Sequence, residues 1–184
     1  MTLVSDPEFP ASWVTEDHLR DGREVTVRPI TPEDGVGLRA FHGALSDTSI
    51  YLRYFAPHPE LSDADVSHLT RVDYRNRVAL VAVEEGDIVG VGRFDRIDEL
   101  SAEVAFLVRD DHQGHGLGSA LFRHLVDAAR DRGFTRFVAE VLPQNGRMMT
   151  TFAHSGLPVQ RHYEDGVVRL DIELSSTSDA RMNG

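Results

Sequence analysis

The sequence contains no cysteine, and this absence alone removes several kinds of chemistry. Without thiols the chain can form no disulfide, no cysteine-ligated zinc site and no thiolate nucleophile. Long apolar runs are also missing, since no stretch approaches the roughly 18 apolar residues of a membrane-spanning helix. The first ten residues show neither the basic segment nor the apolar segment of a secretory signal peptide. We therefore expect a cytoplasmic protein with no membrane partner.

Positive charge is scarce as well. The 19 basic residues are outnumbered by 30 acidic residues, which gives a formal net charge of -11. A field of that sign repels nucleic acid phosphates and anionic lipid, so we expect no nucleic-acid partner. The same field either attracts a basic substrate, such as a protein surface that bears lysine, or serves solubility alone. Composition leaves both interpretations open.

The length of 184 residues suits a single domain. We expect the folded domain to span residues 13–174. A flexible segment at residues 1–12 is expected to precede it, and a disordered polar tail at residues 175–184 is expected to follow it.

Alternating strand and helix patterns predict an α/β domain. Asp21-Gly22 between two apolar runs predicts a hairpin, and two helices are expected within residues 31–71. Residues 49–55 lie between those helices and mix aromatic residues with an arginine, which fits either a binding surface or a core edge. Residues 102–142 are expected to form one central βαβ unit. The later elements are three antiparallel strands, a helix, a strand, a helix and a closing hairpin, predicted at 78–83, 88–94, 102–108, 119–132, 137–142, 143–156 and 159–174.

A glycine-rich loop separates the strand at residues 102–108 from the helix that follows it. Its sequence is Gln113-Gly114-His115-Gly116-Leu117-Gly118. The first N–H groups of a helix have no internal partner and lie at the positive end of the helix dipole. Glycines let an anion approach those groups without a Cβ in the way. The loop is thus typical of a pyrophosphate site, although a turn required only by packing would show the same glycines.

Other phosphate-binding loops fit less well. A Walker A loop needs a Gly-Lys-Ser/Thr sequence, which is absent. A Rossmann loop is approximated by Gly114 to Ser119, and Glu140 would then be the ribose-binding acid. Against this interpretation, several residues separate the loop from its strand, and the chain offers one βαβ unit where a dinucleotide site uses two.

The pattern Gln113-x-x-Gly116-x-Gly118, with a strand before it and a helix after it, resembles the cofactor loop of the GNAT acetyltransferase superfamily. This resemblance implies the GNAT fold, in which a mixed, mostly antiparallel sheet is flanked by helices and a central βαβ unit binds acetyl-CoA. It also implies that acetyl-CoA is the cosubstrate and that no metal is needed.

A narrower resemblance lies in four segments. Residues 102–114 and 140–148 are similar to bacterial Pat-type protein lysine acetyltransferases, and so are residues 49–55 and 21–30. The acceptor implied by this resemblance is the lysine of a protein, such as an acyl-CoA synthetase. Two alternatives stay open, namely a small-molecule amine acetyltransferase and a non-catalytic sensor that binds acyl-CoA.

The resemblance points to Glu103 as the general base, which favours an enzyme over a sensor. A free lysine has a pKa of about 10.4, so it must lose its proton before it attacks a thioester. Strand alternation places Glu103 alongside Ala105 and Leu107. We therefore expect a carboxylate between apolar neighbours, which is costly without a role or a partner. Glu140 is the second choice of base, and a structural salt bridge of Glu103 is the alternative.

The remaining implied roles concern the donor side of the site. Backbone N–H groups around Phe106 to Val108 are expected to polarise the thioester carbonyl. Asn145 is expected to contact the pantetheine arm, although asparagine is also a favoured helix cap. Many GNAT members have a tyrosine acid near the position of Phe152, which has no hydroxyl, so the general acid is left to solvent or to His154. The implied cofactor-binding residues are Phe106, Leu107, Val108, Gln113, Gly114, His115, Gly116, Leu117, Gly118, Ser119, Asn145 and Phe152.

Two histidines flank the glycine loop. His112 and His115 follow a pair of aspartates, a pattern that would fit a metal site if a third imidazole stood nearby in the sequence. None does, so we expect both rings to lie exposed near the cofactor.

Overall fold

The computed structural model describes residues 7–58 and 60–175. Residues 1–6 belong to the segment predicted to be flexible, and residues 176–184 belong to the predicted tail. Both lie outside the described residues.

Within that part of the chain, eight strands form one sheet. Their order across the sheet is β1-β2-β3-β4-β5-β6-β8-β7, and every neighbouring pair is antiparallel except β5 and β6. The predicted α/β fold with a mixed, mostly antiparallel sheet is therefore confirmed. The strands are β1 Thr15–His18, β2 Glu24–Pro29, β3 Arg77–Glu84, β4 Asp87–Arg96, β5 Ser101–Val108, β6 Arg136–Val141, β7 Val159–Glu164 and β8 Val167–Glu173.

Helices flank both faces of the sheet, and α4 connects the parallel strands β5 and β6 as the predicted βαβ unit requires. Across the described ranges, no helix combines the length and the hydropathy that crossing a bilayer demands. The helices are α1 Gly35–Gly43, α2 Asp47–Tyr54, α3 Asp63–Thr70, α4 Leu117–Asp131 and α5 Gly146–Ala153.

Helix α2 is missing from the sequence prediction, which treats residues 49–55 as a connection. The helix begins after Ser46, whose hydroxyl accepts a hydrogen bond from the N–H of Ser49 at 3.1 Å. It ends at Phe55, which adopts the left-handed conformation with φ 60°. Because α2 has only eight residues and buries Ile50 as its one large apolar side chain, it shows no helical repeat in the sequence.

The sheet has an apolar core on each face. Helix α4 packs on one face, so close to β4 that a Cβ on Gly90 or Gly92 would lie 2.9 or 2.7 Å from a methyl carbon of Leu121 or Leu125. Helices α1, α2 and α3 pack on the other face, where Phe41 is among the buried residues. The close packing of α4 fixes the position of its N-terminus, and with it the loop that precedes the helix.

Strands β5 and β6 stay paired over only three positions. The parallel register runs from Ser101 opposite Arg136 to Glu103 opposite Val138. Both strands continue beyond these pairs, β5 to Val108 and β6 to Val141, without further pairing to each other. The strands therefore separate and leave an opening at the centre of the sheet.

Candidate active site

The opening between β5 and β6 forms part of a cleft of about 1120 Å³. This exceeds the roughly 300–1000 Å³ of ordinary small-molecule pockets, so the cleft has room for a long ligand. Its wall includes residues from both faces of the sheet, which shows that the cleft passes between the strands. Central lining residues are Glu103, Ala105, Phe106, Leu107, Val108, Gly114, Gly116, Gly118, Ser119, Glu140 and Asn145.

The glycine loop forms one end of the cleft. Gly114 and Gly116 both have positive φ angles, 82° and 93°, which side-chain-bearing residues rarely adopt. Helix α4 begins at Leu117, directly after this turn, so its first N–H groups face the cleft end without internal partners. Left-handed glycines followed by free N–H groups form a concave site that suits an anion.

Side-chain hydrogen bonds hold the loop between two helices. The Gln113 amide donates to the Val108 carbonyl at 2.9 Å and to the Ser49 hydroxyl of α2 at 3.2 Å. Its oxygen accepts from Arg147 Nη1 of α5 at 2.8 Å. The loop therefore cannot move independently of the two helices that border the cleft.

Asp110 strengthens the link to α2. Its carboxylate accepts from the Ser46 N–H and hydroxyl, both at 2.8 Å, and from the Ser49 hydroxyl at 2.6 Å. Partial burial acts to raise the pKa of Asp110, but hydrogen bonds from Ser49 and Ser46 outweigh that effect and hold the pKa below its ordinary value. Asp110 is thus an ionised anchor for the start of α2.

Glu103 lies in the cleft wall, but its surroundings differ from the expectation. Its neighbours Ala105 and Leu107 are apolar and half-buried, but Glu103 itself is exposed, so its carboxylate does not carry the cost of burial. Because Glu103 still pairs with Val138 of β6, this exposure arises on the face of the sheet and not at a separated strand edge. Glu140 is also exposed and shares a face of the sheet with Glu103, since Glu103 lies opposite Val138.

The backbone of β5 offers donors to the cleft. The Arg109 N–H donates to the Val89 carbonyl of β4 at 2.9 Å. Because backbone groups alternate between the two sides of a strand, the N–H groups of Val108 and Phe106 point away from β4 and into the opening. These are two of the residues that the sequence predicts around the thioester carbonyl.

Other predicted cofactor residues occupy mixed positions. Leu117 and Phe152 are each 1% exposed and belong to the core on the α4 face, although Phe152 also borders the cleft. The Phe152 ring lies 5.5 Å from the Phe106 ring, centroid to centroid. Asn145 borders the cleft and caps α5, because its side-chain oxygen accepts from the Met148 N–H at 3.2 Å.

The two histidines beside the loop lie in different surroundings. The expectation that His112 is exposed is wrong, since it is 2% exposed with one ring nitrogen 2.8 Å from Asp111 and the other 2.6 Å from Glu84. Arg109 and His112 hold the pKa of Asp111 well below its usual range. His115 is half-exposed and lies 3.6 Å from the Asp21 carboxylate. Among the described residues, no three side chains come together as potential metal ligands.

Arg20 is among the residues of the cleft that sequence reasoning missed. Arg20, in the turn between β1 and β2, lines the wall beside Gly116. The turn reaches the loop because the Arg20 N–H donates to the His115 carbonyl at 3.0 Å. No local pattern signals this contact, which joins residues far apart in the chain.

Comparison with known proteins agrees with this geometry. The model of the acetyltransferase (GNAT) family matches residues 47–156. An acetyltransferase of Pseudomonas aeruginosa is 34% identical over 158 residues, which cover 83% of this chain and 84% of that protein. Acetyltransferase Pat of Mycolicibacterium smegmatis is 33% identical over 162 residues, which cover 85% of this chain but only 47% of Pat. The GNAT domain of S. lividans PAT has a TM-score of 0.86 and 45% identity, with 90% of this chain and 99% of that domain covered.

Proposed function

Because this chain belongs to the GNAT acetyltransferase family, we propose that it transfers an acetyl group from acetyl-CoA to the side-chain amine of a protein lysine, with an acyl-CoA synthetase as the expected class of acceptor. The observation that carries this proposal is that one continuous cleft joins the glycine loop to Glu103. A donor held at the loop and an acceptor held at Glu103 would then meet inside the sheet.

The donor half of the cleft fits acetyl-CoA. The turn at Gly114 and Gly116 and the first N–H groups of α4 would hold the pyrophosphate. The opening between β5 and β6 would take the pantetheine arm. The N–H groups of Phe106 and Val108 would donate to the thioester oxygen, where negative charge develops during attack.

The acceptor half supplies a base. Glu103 would take a proton from the lysine ammonium, directly or through a water, and the neutral amine would then attack the carbonyl carbon. As the carbon–sulfur bond breaks, the nitrogen would release its excess proton to solvent to give the neutral amide, and the departing thiolate would take up a proton. Phe152 has no hydroxyl and cannot supply that proton, so we assign the proton to solvent.

The surface around Glu103 favours a protein acceptor. Side chains along β7 are exposed, and so is Glu140 of β6. The register places Glu140 opposite Arg169, and Arg169 opposite His162. A strip of polar side chains therefore runs from Glu103 across three strands, and most of its members are exposed. An open strip suits a protein surface, whereas a small amine is usually held in a more enclosed pocket.

A direct test is to incubate the protein with acetyl-CoA and a panel of acyl-CoA synthetases and to detect acetyl-lysine by mass spectrometry. The sequence contains 19 arginines and no lysine, so no acetyl-lysine can come from the enzyme itself. Acetylation of a synthetase lysine supports the proposal. Thiol release with polyamines or other small amines, and none with proteins, would replace it with the small-amine function. Binding of acetyl-CoA without any transfer would indicate a sensor.

A further inference from the structure

The turn between β1 and β2 is attached to the glycine loop. Besides the hydrogen bond from the Arg20 N–H to the His115 carbonyl at 3.0 Å, the Asp21 carboxylate lies 3.6 Å from a ring nitrogen of His115. Asp21 is itself held by Arg23, whose Nε donates to it at 2.7 Å. These contacts fix the turn at the end of the cleft where the loop presents its N–H groups.

The Arg20 side chain extends over the loop. A Cβ added to Gly116 would lie 3.6 Å from Arg20 Nε and 3.8 Å from its Cγ. Within the described residues the Arg20 guanidinium has no carboxylate partner, whereas Arg23 in the same turn is paired with Asp21. Arg20 therefore brings an uncompensated positive charge to the wall of the cleft.

We propose that Arg20 is a phosphate-binding residue of this site and contacts phosphate oxygens of the CoA nucleotide beside Gly116. This inference rests on the proposed function, because it assumes that CoA occupies the cleft. Two features support it. A planar guanidinium can donate two hydrogen bonds to one phosphate. In a chain with a net charge of -11, moreover, a polyanionic ligand needs local positive charge to approach.

The Arg20 guanidinium suits either of two phosphate groups of CoA, the pyrophosphate and the 3′-phosphate. Arg147 also lines the cleft but is already bonded to Gln113 at 2.8 Å. Unlike Arg147, Arg20 can therefore contact a phosphate without giving up a hydrogen bond to the loop. Comparing CoA with dephospho-CoA, which lacks the 3′-phosphate, separates the two groups.

The test is calorimetric titration of the wild-type protein, Arg20→Ala, Arg20→Lys and the control Arg75→Ala, an exposed arginine outside the cleft, with CoA and with dephospho-CoA. We expect Arg20→Ala to weaken CoA binding about tenfold, the usual range for losing a charge-assisted contact. The difference in affinity between this variant and the wild type should become smaller at high salt. Arg20→Lys should recover part of the affinity, and Arg75→Ala should bind as the wild type does. An equal loss with both ligands assigns Arg20 to the pyrophosphate, and a loss with CoA alone assigns it to the 3′-phosphate.

A second measurement separates phosphate binding from a structural role. Turnover of S-acetyl-pantetheine, which has no phosphate, should be the same for the wild type and Arg20→Ala. Unchanged CoA affinity in Arg20→Ala, or an equal loss with S-acetyl-pantetheine, would overturn the inference. Failure of the wild type to bind CoA is a different result, since it would contradict the proposed function and the inference with it.

Discussion

The Gln113 side-chain amide donates to the Ser49 hydroxyl at 3.2 Å, which ties the glycine loop to helix α2. Ser49 in turn donates to Asp110 at 2.6 Å, so the same hydroxyl joins two residues that precede α4. The loop proposed to hold the donor and helix α2, which lines the cleft, therefore share one hydrogen-bonded junction. A change at this junction should affect both halves of the site.

Ser49→Ala is expected to weaken acetyl-CoA binding severalfold and to lower the free energy of unfolding by about 1 kcal/mol, because it removes hydrogen bonds to Asp110 and Gln113. Calorimetry and denaturant unfolding measure the two effects. Ser62→Ala is the matched control, since Ser62 caps α3 by accepting from the Asp65 N–H at 3.1 Å. That variant should lose a similar stability and keep its affinity. Equal acetyl-CoA affinity in Ser49→Ala and Ser62→Ala would show that the hydrogen bonds of Ser49 do not affect the glycine loop.

Gly116→Ala should cost about 1–2 kcal/mol of stability, because alanine is strained at φ 93°. It should also weaken acetyl-CoA binding at least tenfold, since the N–H groups around Gly116 would no longer converge. Gly133→Ala is matched in strain, with φ 83° and no atom near its added Cβ, and it lies at the far end of α4. Thermal unfolding should show similar losses for both. If Gly133→Ala weakened acetyl-CoA binding as much as Gly116→Ala, the weaker binding would result from reduced stability and not from a change in the glycine loop.

The ion pair of Asp34 with Arg28 predicts a pH dependence of stability. Arg28 donates to both carboxylate oxygens, at 2.6 and 2.8 Å. Burial acts to raise the pKa of Asp34, but the hydrogen bonds from Arg28 and Thr31 and the charge of Arg28 together outweigh it, so the pKa is lowered. A lowered pKa contributes stability that is fully present above the unfolded value of about 3.9 and is lost as the pH falls through the folded-state value.

Asp34→Asn should therefore be less stable than the wild type by about 1–3 kcal/mol at pH 7, with the difference shrinking as the pH falls below about 4. Denaturant unfolding across that pH range measures it. Asp63→Asn removes a fully exposed partner of Arg39 and should leave stability unchanged. A constant difference between Asp34→Asn and the wild type from pH 7 to pH 2.5 would contradict the account of this pair.

The sequence predicts best what short segments determine. The βαβ unit and the glycine loop follow from neighbouring residues, and the structure places Gly114 and Gly116 in left-handed conformations as such a turn requires. The opening beyond Glu103 depends instead on where β5 parts from β6, which no local pattern records.

Other features of the site depend on residues that are distant in the chain. His112 is buried because Glu84, 28 positions earlier, lies beside its ring. Arg20 reaches the loop through a hairpin that begins the domain. Helix α2 is too short to show a repeat, so the sequence indicated the importance of residues 49–55 only through resemblance.

The most direct test of the central claim compares the wild type with Glu103→Gln in acetyl-CoA binding and in thiol release with an acyl-CoA synthetase as acceptor, with Glu140→Gln as the matched control. The account predicts unchanged acetyl-CoA affinity in Glu103→Gln and turnover lower by about 100-fold or more, the contribution expected of a general base. Glu140→Gln should retain most of the activity. Full activity in Glu103→Gln would contradict the assigned base, and a wild-type protein that does not bind acetyl-CoA would contradict the proposed function itself.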